Sequence, residues 1–250
     1  MINIRSSLSA QTVTINYSDP ETLRTLLWQI WENEARPGQG EKRSIAVQRM
    51  MECERNDSNI LDLSSLGLTS LPPVLPKKHQ ILDIHDNQLS DITPVLAPNL
   101  MELNASENRL TILPDMNNHY KLKSLNVSHN HLTVLSNNLP PALEILNIGN
   151  NRLKKLPQLP LFLVEFDAHN NDLMNFDEAL PATLQFLDLR NNRRLTRLPA
   201  KMQQQLIKLF VSGPRSESKI SGSPIDLKKF FADERLFISI FGNVPSTLKL

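Results

Sequence analysis

At 250 residues the chain is long enough for one or two domains. Its charges nearly cancel, 27 Lys and Arg against 26 Asp and Glu, and aromatic residues make up only 5%, so neither an electrostatic case for nucleic acid nor a stacking platform for single strands exists. A single cysteine, Cys53, excludes an intrachain disulfide framework and points to a reducing compartment.

No run of about twenty apolar residues is present, so no membrane span is expected. Residues 1–16 lack the apolar core of a Sec signal peptide and are rich in Ser, Thr, Asn and Gln. Such a stretch has little to bury, and residues 1–19 are expected to be disordered, with a non-cleaved bacterial secretion signal as the sharper reading.

The first predicted element starts at Ser18-Asp19-Pro20-Glu21, where Asp19 suits an N-cap, Pro20 the first helical position and Glu21 the positive end of the dipole. Leu23, Leu26, Leu27, Ile30 and Trp31 give that helix one apolar face, and Ala35-Arg36-Pro37-Gly38 ends it. A second helix is predicted from about Glu41 to Glu54, with Ile45, Ala46, Met50 and Cys53 inward. Residues 20–57 therefore form a helical hairpin whose apolar face has only the next element to cover, as the cap of a repeat array does.

Residues 58–214 carry that array. The frame L-x-x-L-x-L-x-x-N-x-L, a leucine-rich-repeat signature, centres on Leu61, Leu82, Leu103, Leu125, Leu146, Phe166, Leu187 and Leu209, at intervals of 21, 21, 22, 21, 20, 21 and 22 residues. Alternation within Leu82-Asp83-Ile84 turns Leu82 and Ile84 inward and Asp83 outward, as a short strand requires. The fold class is thus an α/β leucine-rich-repeat solenoid of short repeats, with a parallel concave sheet and a helical amino-terminal cap. Asn87, Asn108, Asn130, Asn151, Asn171 and Asn192 recur three residues after the second inward position, where an inward carboxamide can satisfy backbone groups of two neighbouring turns. Removing one should cost about 1–3 kcal/mol.

The return path is short and rich in proline, at Leu71-Pro72-Pro73, Leu113-Pro114, Leu139-Pro140-Pro141, Leu156-Pro157, Leu180-Pro181 and Leu198-Pro199, which suits extended chain and leaves no room for a convex helix. In the seventh repeat, Asn192-Arg193-Arg194-Leu195 holds one residue more than the frame, and the arginines are expected to bulge outward. The eighth loses its asparagine. Residues 215–224 read as a linker, and 226–241, with four of the nine phenylalanines, as a carboxy-terminal cap or a partner-binding tail.

The concave columns are polar. The first reads Asp62, Asp83, Asn104, Asn126, Asn147, Asp167 and Asp188; the next add His85, His169 and Arg190, then Asp86, Glu107 and His129. Strand residues facing solvent have to be polar in any case, but fixed donors and acceptors on a rigid curved scaffold are also what repeat proteins bind with. These thirteen residues are the candidate partner site, and the partner expected is a protein carrying basic residues. His85, His129 and His169 fall on alternate repeats, which at the spacing of strands puts them roughly 10 Å apart. That is too far to share a zinc ion whose ligands lie about 2 Å away, so no metal or other cofactor is expected. Asp188 and Arg190 read as a surface pair.

Short repeats with a Leu-Pro return behind a hairpin reading Trp28-x-x-Trp31-Glu32-x-x-Ala35-x-Pro37-Gly38, followed by Ala46-Val47-x-Arg49-Met50-x-Glu52-Cys53, resemble bacterial type III effectors of the IpaH/SspH/YopM group. The resemblance covers roughly residues 20–214. It implies a protein secreted by a bacterium and acting in host cytoplasm, where the concave face captures host protein. IpaH-type ligases continue into a helical domain with a nucleophilic cysteine. Here the lone cysteine lies in the cap, where it should pack as a small apolar residue, so ligase activity is not carried over. The implied function is a non-catalytic effector like YopM; the alternative is a truncated or remnant ligase that keeps only substrate recognition. A housekeeping scaffold stays open as a third reading, and the sequence does not establish oligomeric state.

Overall fold

The computed structural model describes residues 2–5, 12–15, 20–35, 38, 40–93, 96–135, 139–174, 180–195 and 208–210. Asp19, the Leu198-Pro199 turn and residues 211–250 lie outside them. At the amino terminus β1 (Ile2–Arg5) pairs antiparallel with β2 (Thr12–Ile15), with Ile2 opposite Ile15 and Ile4 opposite Val13. At these eight residues the structure departs from the disorder expected of the stretch. Polar composition hid two short runs of β-branched residues, which favour extended chain.

The cap consists of α1 (Pro20–Asn33) and α2 (Arg43–Arg55). Helix α1 buries Arg24, Trp28 and Trp31, while Leu23, Leu26, Leu27 and Ile30 are only half-buried, so its inward stripe is turned from the one expected. The two indoles explain the rotation. Trp28 Nε1 donates to the Val74 carbonyl at 2.8 Å and Trp31 Nε1 to Ser70 Oγ at 3.2 Å, which lets large amphipathic rings seat on the first turn of the solenoid with no polar atom stranded. Arg43 then lies over the Trp31 ring, 4.7 Å from its centroid, and its Nη1 donates to the Trp31 carbonyl. Helix α2 buries Ala46, Val47, Met50 and Cys53; Ile45 is 40% exposed and does not belong to that face.

Eight parallel strands follow in sequential order among the described residues: β3 (Ile60–Asp62), β4 (Ile81–Asp83), β5 (Glu102–Asn104), β6 (Ser124–Asn126), β7 (Ile145–Asn147), β8 (Glu165–Asp167), β9 (Phe186–Asp188) and β10 (Lys208–Phe210). The eight frame residues Leu61 to Leu209 stand in register across the sheet. No α-helix occurs in the described returns between strands, and the core is a single stacked column dominated by leucines. Strand β3 would present a raw edge. Arg49 of α2 covers it, with Nη1 3.2 Å from the Asp62 carbonyl and 3.4 Å from that of Ser64.

In every described turn the six frame asparagines face inward and are at most 9% exposed. Oδ1 of each accepts a backbone N–H from the preceding turn, Leu68, Leu89, Leu110, Leu132, Leu153 and Leu173 in order, at 2.8–3.2 Å. Nδ2 donates both to a carbonyl of the preceding turn and to one three residues back in its own. The residue just before each asparagine is left-handed: Asp86, Glu107, His129, Asn150, Asn170 and Asn191 have φ between 51° and 60°. The chain turns off the strand there, and Asn, Asp and His adopt that conformation more readily than Glu107 does.

Candidate partner-binding face

Each of β3 to β9 buries its middle residue and turns both neighbours toward the concave side. The residue after the buried one is the expected column from Asp62 to Asp188. The residue before it forms a column that sequence reading left out: Ile60, Ile81, Glu102, Ser124, Ile145, Glu165 and Phe186. The signal was available, since alternation that points Asp62 outward points Ile60 the same way.

The expected first column has a duty of its own. Oδ1 of Asp62, Asp83, Asn104, Asn126, Asn147, Asp167 and Asp188 accepts the backbone N–H two residues on, at 2.8–3.3 Å. The side chain at that second residue usually turns back to the same oxygen. Ser64, Ser106 and Ser128 donate their hydroxyls at 2.6, 2.8 and 2.8 Å, and His85 and His169 place Nδ1 at 2.8 and 2.6 Å. Much of the row offered as ligand is therefore engaged in Asx turns that close the strand ends.

Charge follows the same wiring. Burial alone would raise the Asp62 carboxyl, but the Ser64 hydroxyl and amide, with Arg49 beside it, hold it below the usual carboxylate range. The hydrogen bond to Asp83 raises the imidazole of His85 above its ordinary value. Asp188 corrects the sequence reading: it is 2% exposed, and the Arg190 guanidinium lies over it with Nε 3.0 Å from Oδ1 and Nη2 2.6 Å from Oδ2. The pair is a buried carboxylate under a half-exposed lid, since Arg190 grips both carboxylate oxygens and its backbone N–H meets Oδ1 at 2.9 Å.

The carboxylates that do project into the concave space are Asp86, Glu102, Glu107 and Glu165, all exposed. The histidines are also closer than strand spacing suggests. His129 sits in the left-handed column and His169 in the one before it, and Asn150 Nδ2 lies 3.0 Å from Nε2 of the first and 2.8 Å from Nε2 of the second. His85 stands apart from them at the other end. Cys53 is 6% exposed with its thiol pushed up by burial and by Glu54, so it has neither the access nor the thiolate character of a nucleophile.

A sequential parallel sheet with an inward asparagine ladder defines a leucine-rich-repeat protein, and the family model "Leucine Rich Repeat" matches residues 121–144. Among solved structures, a Shigella effector LRR domain superposes with a TM-score of 0.63 at 31% identity, covering 80% of this chain and 87% of that one. YopM from Yersinia enterocolitica superposes with a TM-score of 0.51 at 30% identity, over 77% of this chain and 50% of that one. The chain belongs to the bacterial leucine-rich-repeat effector family. Among curated proteins it is 38% identical over 82 residues to the E3 ubiquitin-protein ligase SspH1 of Salmonella typhimurium, and 43% identical over 65 residues to the E3 ubiquitin-protein ligase ipaH9.8 of Shigella flexneri. The aligned stretches span 12% of each ligase. No helix among the described residues is long and apolar enough to cross a membrane.

Proposed function

We propose that this chain is a secreted bacterial effector that acts in the host cell by binding host protein along its concave face, without catalysis of its own. The observation that carries the reading is the sheet itself. Eight strands in fixed register present Glu102, Glu107, Glu165 and Asp86 beside a column of Asp and Asn held in place by internal hydrogen bonds. A preorganised acidic face of this kind suits a basic protein segment, since little entropy is lost on its side when the partner docks. Membership of the effector family supports both the secretion and the host setting. Burial of Cys53 supports the absence of thioester chemistry. The second reading, a substrate-recognition region derived from a ligase, is favoured by the names of the SspH1 and ipaH9.8 relatives.

The test is capture from host-cell lysate with the intact chain and with Glu102→Lys/Glu107→Lys/Glu165→Lys. These three side chains are exposed and hold no Asx turn, so the variant keeps the fold that reversal of Asp188 would disrupt. A partner retained by the first, lost by the second and weakened by added salt is expected. A partner captured equally by both moves the site off this face.

A further inference from the structure

Two imidazoles from adjacent columns converge on one point of the concave floor. His169 lies across Gly149: a Cβ there would stand 2.5 Å from His169 Cε1 and 2.6 Å from its Nδ1. The same column holds Ser106 and Ser128 in earlier turns, so glycine here makes room for the ring rather than for the backbone. Nδ1 of His169 is held 2.6 Å from Asp167 Oδ1. An ionised carboxylate only accepts, so Nδ1 carries the proton and Nε2 presents its lone pair. That lone pair and the Nε2 of His129 both meet Asn150 Nδ2, at 2.8 and 3.0 Å, while Asn150 Oδ1 receives Asn170 Nδ2 at 2.7 Å. A donor nitrogen thus occupies the place to which two imidazole lone pairs point, where a cation would also sit.

We propose that His129 and His169 form a binding site for a divalent late-transition cation of the zinc class, which bridges the two Nε2 atoms once the Asn150 amide swings aside. Imidazole is a ligand of choice for Zn²⁺, Cu²⁺ and Ni²⁺. A carboxylate on the opposite ring nitrogen is the usual support of a metal-binding histidine, fixing its tautomer and ring orientation, and Asp167 supplies it. Asn150 is not fully buried, so its amide can leave into the concave space, where water completes the coordination. Ligand atoms of Asp167, His169 and Asp188 also lie within 4.8 Å of one another. Asp188, however, is closed by Arg190, and Asp167 is engaged by His169, which it holds from behind. The site goes beyond capture of a protein partner and does not depend on it.

The test is titration of the whole chain, freed of metal by a chelator, with ZnCl₂ at pH 7.5 by isothermal calorimetry. One equivalent should bind saturably. His129→Gln and His169→Gln should each lower the affinity at least ten-fold, Asp167→Asn by about 10–100-fold, and His131→Gln, which changes an exposed histidine outside the pair, not at all. Absence of saturable binding, or binding unchanged in the His129→Gln/His169→Gln double variant, overturns the proposal. Should a glutamine variant unfold, nitrogen spectra of the intact chain decide the matter: Zn²⁺ must move Nε2 of both His129 and His169 and leave His131 in place, and any other pattern overturns it.

Discussion

Replacing Asn130 by Ala tests the ladder at its centre. Asn130 is 5% exposed; its Oδ1 accepts the Leu110 N–H at 2.9 Å, and its Nδ2 donates to the carbonyls of Ala105 at 2.9 Å and Val127 at 3.1 Å. The two carbonyls keep a second donor in the variant, Asn108 Nδ2 at 3.3 Å and Asn151 Nδ2 at 3.0 Å. The Leu110 N–H keeps none of those hydrogen bonds. One stranded buried donor costs about 1–3 kcal/mol and each of the two lost Nδ2 bonds about 0.5–1.5, so the expected loss is about 2–6 kcal/mol. In a urea melt followed by circular dichroism this lowers the midpoint by about 1 M or more. Asn104→Ala is the comparison, because Asn104 holds only the amide and hydroxyl of Ser106 in its own part-buried turn and bridges no two turns, so it should cost less than Asn130→Ala. Equal midpoints for Asn130→Ala and the parent chain would refute the reasoning.

Three further outcomes are expected. Glu107 is left-handed at φ 54°, where Asn150, Asn170 and Asn191 stand in later turns, so Glu107→Asn should stabilise by about 0.5–1 kcal/mol in the same melt. His79 is 1% exposed in the position of Leu100 and Leu122, and burial depresses its pKa below 6.5. Its neutral form is the one the fold holds, so this contribution is complete above about pH 6.5 and is lost as pH falls through the depressed value. Urea melts between pH 7.5 and 5 should show a shallower decline for His79→Leu than for the parent; parallel curves would remove His79 as a source of acid sensitivity. Cys53 should resist iodoacetamide in the native chain, react once urea unfolds it, and carry no ubiquitin thioester in a reconstituted assay; rapid native alkylation would contradict its burial.

The solenoid was legible because its signal is a period: a one-residue slip anywhere would move every leucine off the core, so the frame at Leu61 through Leu209 fixes strand positions and register together. The cap was legible as a hairpin but not in its rotation. Periodicity weighs leucines and ignores that Trp28 and Trp31 bring N–H groups needing Val74 and Ser70, partners some forty residues away. On α2 it is Val47 rather than Ile45 that lies on the buried face with Ala46, Met50 and Cys53. The β1–β2 pairing rests on β-branched alternation inside a polar stretch, a pattern that composition averages away.

The concave face was the least legible part, because outward pointing and availability are different properties. Asp83 and Glu107 both read as exposed acids, yet Asp83 holds the His85 amide and imidazole while Glu107 projects. The deciding variable is the residue two positions on: an Asx side chain followed by Ser, His or Arg folds onto that donor and is largely spent. Gly149 breaks the rule in one turn only, leaving Asn147 with a backbone partner alone, and it is there that His169 leans across and Asn150 reaches two histidines. Substitutions in the Asx column should therefore register as losses of stability, and those in the columns of Glu102 and Glu107 as changes in binding. A scan scored by melt and capture separates the two.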